Sequence, residues 1–264
     1  LLKSLAIIQP ECSTMTIAMQ GYREDLQNIT LQDILKVYEE FKTLPFEILE
    51  VGDLDPRILD FLESLDQTSW KYDDSVLSAA QPVRNESIEM NVPSCSLVQV
   101  YRTGIGPRDP QAFALLAANS ILGTSPMSLL FEEVREKHSL CYQISSSLIR
   151  FDGALIVSTG TQQKNLEEVR RLIAEQIERL KKGDFDDSLL RSAKMDLQDS
   201  ILSQQDHPSS LLAQAFLNSF LKRPMTSQEM IDASGVLTRQ DIMEAAAGIE
   251  LLSSACITGK EVIE

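Results

Sequence analysis

Arg135, Glu136, Lys137, His138 and Tyr142 fall within eight residues, where a helix-like pattern gives way to a strand-like one. A guanidinium and a phenol are hydrogen-bond donors that can hold and polarise a carbonyl oxygen, so Arg135 and Tyr142 are the candidate catalytic and substrate-binding residues. The plainer reading stands beside it. A cation near a helix C-terminus is favoured by about 0.3–1 kcal/mol, so Arg135, Glu136 and Lys137 also make sense as a solvated helix end, with Tyr142 at a strand rim. Other chemistries lack their residues. There are two histidines, His138 and His207, in neither H-E-x-x-H nor H-x-x-E-H spacing, and catalytic zinc usually takes about three protein ligands. No metal ligands are therefore assigned. His207, between Asp206 and Pro208, reads as a turn residue. Gly104-Ile105-Gly106 is a loop without the spacing of a phosphate cradle, and Ser145-Ser146-Ser147 has no G-x-S-x-G context.

The elements that must position this cluster run from Gly123 to Gly160. Ser125 can N-cap a helix with Pro126 in its first turn. Met127, Leu130, Phe131 and Val134 then recur on one helical face, and Gly123 reads as the C′ residue of the preceding helix. Beyond Lys137 the period is two. Leu140, Tyr142, Ile144, Ser146 and Leu148 share one side of a strand, with Cys141, Gln143, Ser145 and Ser147 on the other. Asp152-Gly153 signals a hairpin turn, and Ala154 to Thr159 returns.

A chain of 264 residues can bury one large core or two smaller ones, and its net charge of −15 argues against nucleic acid or an anionic membrane as the main partner. No apolar run approaches the roughly 18–20 residues of a membrane span, and no signal peptide is recognisable. Four cysteines (Cys12, Cys95, Cys141, Cys256) match no C-x-x-C spacing; reduced structural thiols in a cytoplasmic protein are expected. Leu1 opens in what reads as the middle of an element, as in a piece of a longer polypeptide.

Upstream, Thr30 and Asp33 form a capping-box signature before a helix through Leu35, Tyr38 and Phe41. A short strand is expected at Phe46 to Val51, and Asp55-Pro56 opens another helix with Ile58, Leu59, Leu62 and Leu65 inward. This helix–strand–helix tail, 1–65, cannot close a core alone. Residues 66–86, with the lone Trp70, read as a linker. In 87–264, strands at Ile88–Val92 and Leu97–Thr103 precede an apolar helix from Asp109-Pro110. After the hairpin, Asn165 opens a helix with Leu166, Val169, Leu172, Ile173, Ile177 and Leu180 as its stripe and three i,i+4 pairs, Glu167–Arg171, Glu175–Arg179 and Glu178–Lys182. A long helix from Asp186 or Asp187, shorter ones at 209–221, 227–233 and 239–247, and a closing strand at Leu251–Thr258 complete it. Strands in hairpins and helices in runs give an α+β fold: an antiparallel sheet covered on one face by helices. Thr238-x-x-Asp241 before the closing strand echoes Thr30-x-x-Asp33, as two copies of one domain would.

The run LGTSPMSLLFEEVREKHSLCYQISSS resembles the second domain of the M16 (pitrilysin/insulinase, mitochondrial processing peptidase) family, whose pattern is a Gly-rich turn, S-R-L-F and R-E-x-x-x-L-x-Y. Ser128-Leu129-Leu130-Phe131 and Arg135-Glu136…Leu140-Cys141-Tyr142 carry it, with Leu129 in place of the common Arg. Residues 29–62 resemble the end of an M16 first domain, and the wording is closest to bacterial M16-like proteins without the zinc motif. The resemblance implies a metallopeptidase-type pair of domains. Zinc would sit in an H-x-x-E-H motif of a partner subunit or missing first domain, and none in this chain. Arg135 and Tyr142 would reach across to the substrate carbonyl. The function expected is the non-zinc half of an M16 peptidase, binding a peptide or small protein; the alternative is a catalytically silent assembly or peptide-binding subunit. A second copy of the chain could also serve as partner.

Overall fold

A computed structural model of the chain describes residues 21–64, 83–92, 94–221 and 224–259. Most of the expected linker, Trp70, Cys12 and the opening segment lie outside these. The chain divides into two compact units, one of Leu1–Ile17, Asp74–Ser203 and Met225–Glu264, the other of Ala18–Asp73 and Gln204–Pro224.

The larger unit holds a five-stranded sheet: β1 (Arg84–Met90), β2 (Cys95–Arg102), β3 (Cys141–Ile149), β4 (Ala154–Thr161) and β5 (Glu250–Gly259), in the order β1-β5-β2-β4-β3. Helices cover one face, as the α+β reading requires. Leu97, Tyr101, Leu155 and Val157 point into a core shared with the helices, while Val98, Val100, Ile156 and Leu252 alternate onto a smaller apolar cluster on the other face. β2 is buried on both faces, which is why its sequence runs apolar almost without a break. The β3–β4 hairpin forms as expected, whereas β1 and β2 are not a hairpin. β1 instead lies parallel to β5, with Ile88 opposite Ile257, and β5 is the neighbour of β2. β5 thus lies between two strands that are consecutive in sequence.

α4 (Ala112–Asn119) continues as a π-helix at Ser120–Thr124, and its residues are buried nearly all round. α5 (Leu166–Lys182) buries every residue of the expected stripe and ends at Gly183 in the left-handed region, φ 69°. Its start differs: Asn165 makes no side-chain cap, and a 3₁₀ turn at Gln163–Asn165 leads in. The expected ion pairs are exchanged for others, and Arg179 turns to Asp184 and not to Glu175. Arg171 bridges Glu168 and Glu175, and Lys181 takes Glu178 at 2.8 Å. α6 (Asp187–Gln204), α8 (Ser227–Gly235) and α9 (Arg239–Ala247) follow, and Thr238 and Asp241 form the capping box of α9. Arg239 at the start of α9 lies over the Phe185 ring, 4.7 Å to the centroid, and donates to the Gly183 and Phe185 carbonyls and to Asp187. One guanidinium so ties the α5–α6 turn to α9.

In the smaller unit α1 (Arg23–Leu26), α2 (Leu31–Phe41), α3 (Pro56–Glu63) and α7 (Pro208–Phe220) form. His207 precedes α7, with Pro208 in the first turn, as a turn residue should. The Thr30–Asp33 capping box is present, both bonds made. Phe46 to Val51 form no strand. An extended segment becomes a strand only by pairing, and none of the described residues supplies a ladder partner.

Candidate functional site

The corner between the helices and β3 is set by a close approach. Gly123 lies inside the π-helix Ser120–Thr124 and does not end a helix in the left-handed region. A Cβ there would stand 2.7 Å from Ser146 Oγ, 2.8 Å from Ser146 N and 2.9 Å from Leu130 Cδ1. This glycine is therefore explained by contact with β3, not by a cap. The next helix begins later than expected. Ser125 Oγ accepts the Met127 N–H at 3.3 Å and Ser128 N–H reaches Ser125 O at 3.0 Å, so Ser125 and Pro126 belong to a turn; helical structure starts at Leu129.

From Phe131 to Lys137 the helix is wound as a π-helix, a form found mostly as short insertions at functional sites. Its end is abrupt. Ser139 adopts φ 53°, the left-handed region a serine enters at some cost, and Leu140 N–H reaches back to Val134 O at 3.1 Å. The chain thereby turns straight into β3.

β3 then departs from strict alternation. Cys141 pairs with Thr161 and Ile144 with Thr159, so Tyr142 and Gln143 together oppose Gly160 in a β-bulge. Because of the extra residue, Tyr142 does not share the core face with Ile144: Ile144 is 4% exposed and Tyr142 is 95% exposed. Cys141 instead packs at the edge of the core. Burial pushes its thiol up in pKa, opposed by the Thr159 hydroxyl and the Arg135 charge.

Arg135 lies with its guanidinium carbon 4.4 Å from the Phe131 ring centroid and its Nε 3.6 Å from Glu136 Oε1, the side chain 42% exposed. Arg135 is part-exposed and Tyr142 almost fully exposed, and the Arg135 charge is felt at Cys141, the residue before Tyr142. No hydrogen bond joins Arg135 to Tyr142. Behind Arg135, Glu133 gathers Lys137 at 3.1 Å, His138 at 3.4 Å and Arg179 of α5 at 3.8 Å. Burial pushes the Glu133 carboxyl up, but these three positive partners outweigh it and its pKa is lowered. Sequence reading missed Glu133 and Phe131 as members of the corner; the Phe131–Arg135 spacing of four was the available signal.

A cavity of about 340 Å³ adjoins this corner, lined by Leu129, Glu132 and Lys137 with Arg179, Phe185 and Arg239 among others. Arg135 and Tyr142 lie outside its lining. Leu129, where the family pattern has Arg, is 3% exposed. Among the described residues no three His, Cys, Asp or Glu side chains cluster as a zinc site would need, and the imidazole of His138 is engaged with Glu133. Cys95, Cys141 and Cys256 are free thiols. Among the described residues, no helix is long and apolar enough to cross a membrane.

The family model of the Peptidase M16 inactive domain matches residues 28–197. The Bacillus subtilis protein named "Probable inactive metalloprotease YmfF" is 26% identical over 98% of this chain and 62% of its own length. The Bacillus subtilis "Antilisterial bacteriocin subtilosin biosynthesis protein AlbE" is 24% identical over 53% of this chain and 35% of its own. The chain therefore spans about three fifths or less of these relatives. Two crystal structures share the fold. A conserved protein from Enterococcus faecalis V583 superposes with a TM-score of 0.89 at 23% identity, over 100% of this chain and 64% of that one. A peptidase M16 inactive domain from Pseudomonas fluorescens gives 0.73 at 19%, over 98% and 65%.

Proposed function

The chain belongs to the Peptidase M16 inactive-domain family, and from that membership we propose that it is the non-zinc half of an M16-type peptidase, working in the cytoplasm. In this reading it binds an extended peptide or small protein and presents Arg135 and Tyr142 to the active site of a zinc-bearing partner, either another subunit or a preceding domain. The zinc supplies the activated water from the partner's side. On this side the two donors hold the substrate carbonyl, the Arg135 guanidinium by charge and the Tyr142 hydroxyl by a neutral hydrogen bond, and favour the negative oxygen as it develops.

The observation that carries the reading is the bulge at Tyr142–Gln143. A tyrosine that would otherwise share the core face with Ile144 is turned outward, and the arginine seven residues before it is held over Phe131. Such re-aiming is what bulges do next to active sites.

Residues 1–65 are assigned in the same reading to the tail of a first M16-like domain. Two features support this. α2 carries Leu31, Ile34, Leu35, Tyr38 and Phe41 exposed on its surface. α9, which has the same capping box, buries Ile242, Ala245 and Ala246 completely.

The test is peptide hydrolysis by the chain reconstituted with a zinc-bearing partner. Arg135→Ala and Tyr142→Phe should each lower kcat/KM by about 10²–10³ with thermal unfolding unchanged, and the chain alone should bind no stoichiometric zinc. Unchanged kcat/KM in both variants refutes the proposal. A second reading, a silent assembly subunit, is favoured by the name of the Bacillus subtilis relative, which calls it inactive. That reading predicts no hydrolysis with any partner.

A further inference from the structure

The bulge that carries Tyr142 is fastened to β4 by two buried hydroxyls. Thr161 Oγ1–H donates to the Leu140 carbonyl at 2.6 Å, and Thr159 Oγ1–H donates to the Gln143 carbonyl at 2.8 Å. Both threonines are 5% exposed. In the ladder Thr161 stands opposite Cys141 and Thr159 opposite Ile144. Each hydroxyl therefore reaches past its own partner to the carbonyl one residue earlier. Those two carbonyls bracket Cys141 and Tyr142. Leu140 is also held from the helix side, its N–H reaching Val134 O at 3.1 Å.

A bulge interrupts the ladder and leaves main-chain groups without strand partners. A buried hydroxyl is itself unfavourable unless it is hydrogen-bonded. Here each group satisfies the other. Ser139, just before Leu140, adds a second constraint: with φ 53° it is the one non-glycine in the left-handed region among the described residues. Such a backbone persists where its surroundings over-determine it, and these hydrogen bonds do so on the β4 side. We propose that Thr159 and Thr161 are positioning residues for Tyr142: by holding the Gln143 and Leu140 carbonyls they keep the bulge in place and fix where the phenol stands. They act through the main chain and not on a substrate. The consequence for peptide hydrolysis rests on the reading of Tyr142 as a donor to the substrate carbonyl; the clamp itself does not.

The experiment compares Thr→Val, which removes the hydroxyl and keeps the branched shape, with Thr→Ser, which keeps the hydroxyl. Each variant is followed by the NMR signals of the Tyr142 ring in the full chain alone. Each is also assayed for peptide hydrolysis with the zinc-bearing partner, with Tyr142→Phe alongside. Thr159→Val and Thr161→Val should displace or split the Tyr142 signals. They should also lower kcat about ten- to a hundredfold, with KM within about twofold of wild type. Thr159→Ser and Thr161→Ser should return both readouts toward wild type. Val variants that leave the Tyr142 signals in place overturn the proposal, and so do Ser variants that behave as the Val variants do. Signals that follow the hydroxyls, with hydrolysis indifferent both to them and to Tyr142→Phe, uphold the clamp and refute the donor reading of Tyr142. Should a Val variant fail to fold, the hydroxyl protons of the wild-type chain decide. Each should give a slowly exchanging NMR signal, and the absence of either overturns the proposal.

Discussion

Arg135 rests over the ring of Phe131, its guanidinium carbon 4.4 Å from the centroid, four residues along a π-helix. The ring face attracts the cation and limits its rotamers without using any of its N–H donors. Arg135 is thus held in place while its hydrogen-bonding capacity stays available.

Replacing that ring tests the relationship. Phe131→Leu keeps an apolar side chain but removes the attractive face, worth about 0.5–1 kcal/mol at an exposed site. In the reconstituted peptidase assay kcat/KM should fall about two- to fivefold, and the Phe131→Leu, Arg135→Ala double variant should lose no more than Arg135→Ala alone. Fully additive losses in the double variant would show that the stack does not position Arg135.

Much of this frame is legible in the sequence, and the omissions share a cause. The stripe of α5 and the capping boxes at Thr30 and Thr238 are local patterns, and each forms. The pairing of β1 with β5 joins Ile88 to Ile257, and nothing in either segment specifies a partner so distant. Gly123 reads in the sequence as a helix C′ residue and is not one; glycine also serves close approaches, and only the position of Ser146 shows that use. The candidates Arg135 and Tyr142 were visible as residue types. The bulge and the π-winding that aim them depend on hydrogen bonds across the fold and leave no periodic signature.

The close approach at Gly123 makes a stability prediction. Its φ is ordinary, so alanine is not refused by the backbone; it is refused by Ser146 N, a main-chain atom 2.8 Å from the new Cβ. Gly123→Ala should cost about 1–3 kcal/mol as overpacking, measured by urea unfolding. A Gly123→Ala chain as stable as wild type would mean that the π-helix and β3 can separate freely.

The charge cluster at Glu133 predicts a pH dependence. The folded carboxyl has a lowered pKa, so it binds protons less readily than in the unfolded chain. Its contribution is present above the ordinary carboxylate range and is lost as pH falls through the lowered value. Glu133→Gln should therefore be less stable than wild type near neutrality by about 1 kcal/mol or less, and the gap should close on acidification. Urea midpoints across the acid range measure it, and a gap that widens in acid would contradict the assignment.

Arg239 provides a separate test, away from the corner. It donates to the Gly183 and Phe185 carbonyls and to Asp187, tying them to the start of α9. Arg239→Met keeps the stem over Phe185 but leaves the carbonyls without their charged donor, and should lower stability by about 1.5–3 kcal/mol. Arg239→Lys, with a point charge in place of a fork, should recover part of it. Unfolding midpoints equal to wild type in both variants would show that water replaces the guanidinium at no cost.

The bulge itself can be removed. Tyr142 and Gln143 jointly oppose Gly160, so deleting Gln143 restores one-to-one pairing while leaving Tyr142 on the outward side, opposite in phase to Ile144. The bend that aims the phenol is lost; its exposure is not. The deletion should keep wild-type circular dichroism, and tetranitromethane should still nitrate Tyr142 while sparing Tyr101, which is 4% exposed. Peptide hydrolysis by the reconstituted pair should nevertheless fall by about 10²–10³, as in Tyr142→Phe. If the deleted chain cleaves peptide at the wild-type rate, aim at this corner is irrelevant, and Tyr142 does not act as a donor to the carbonyl.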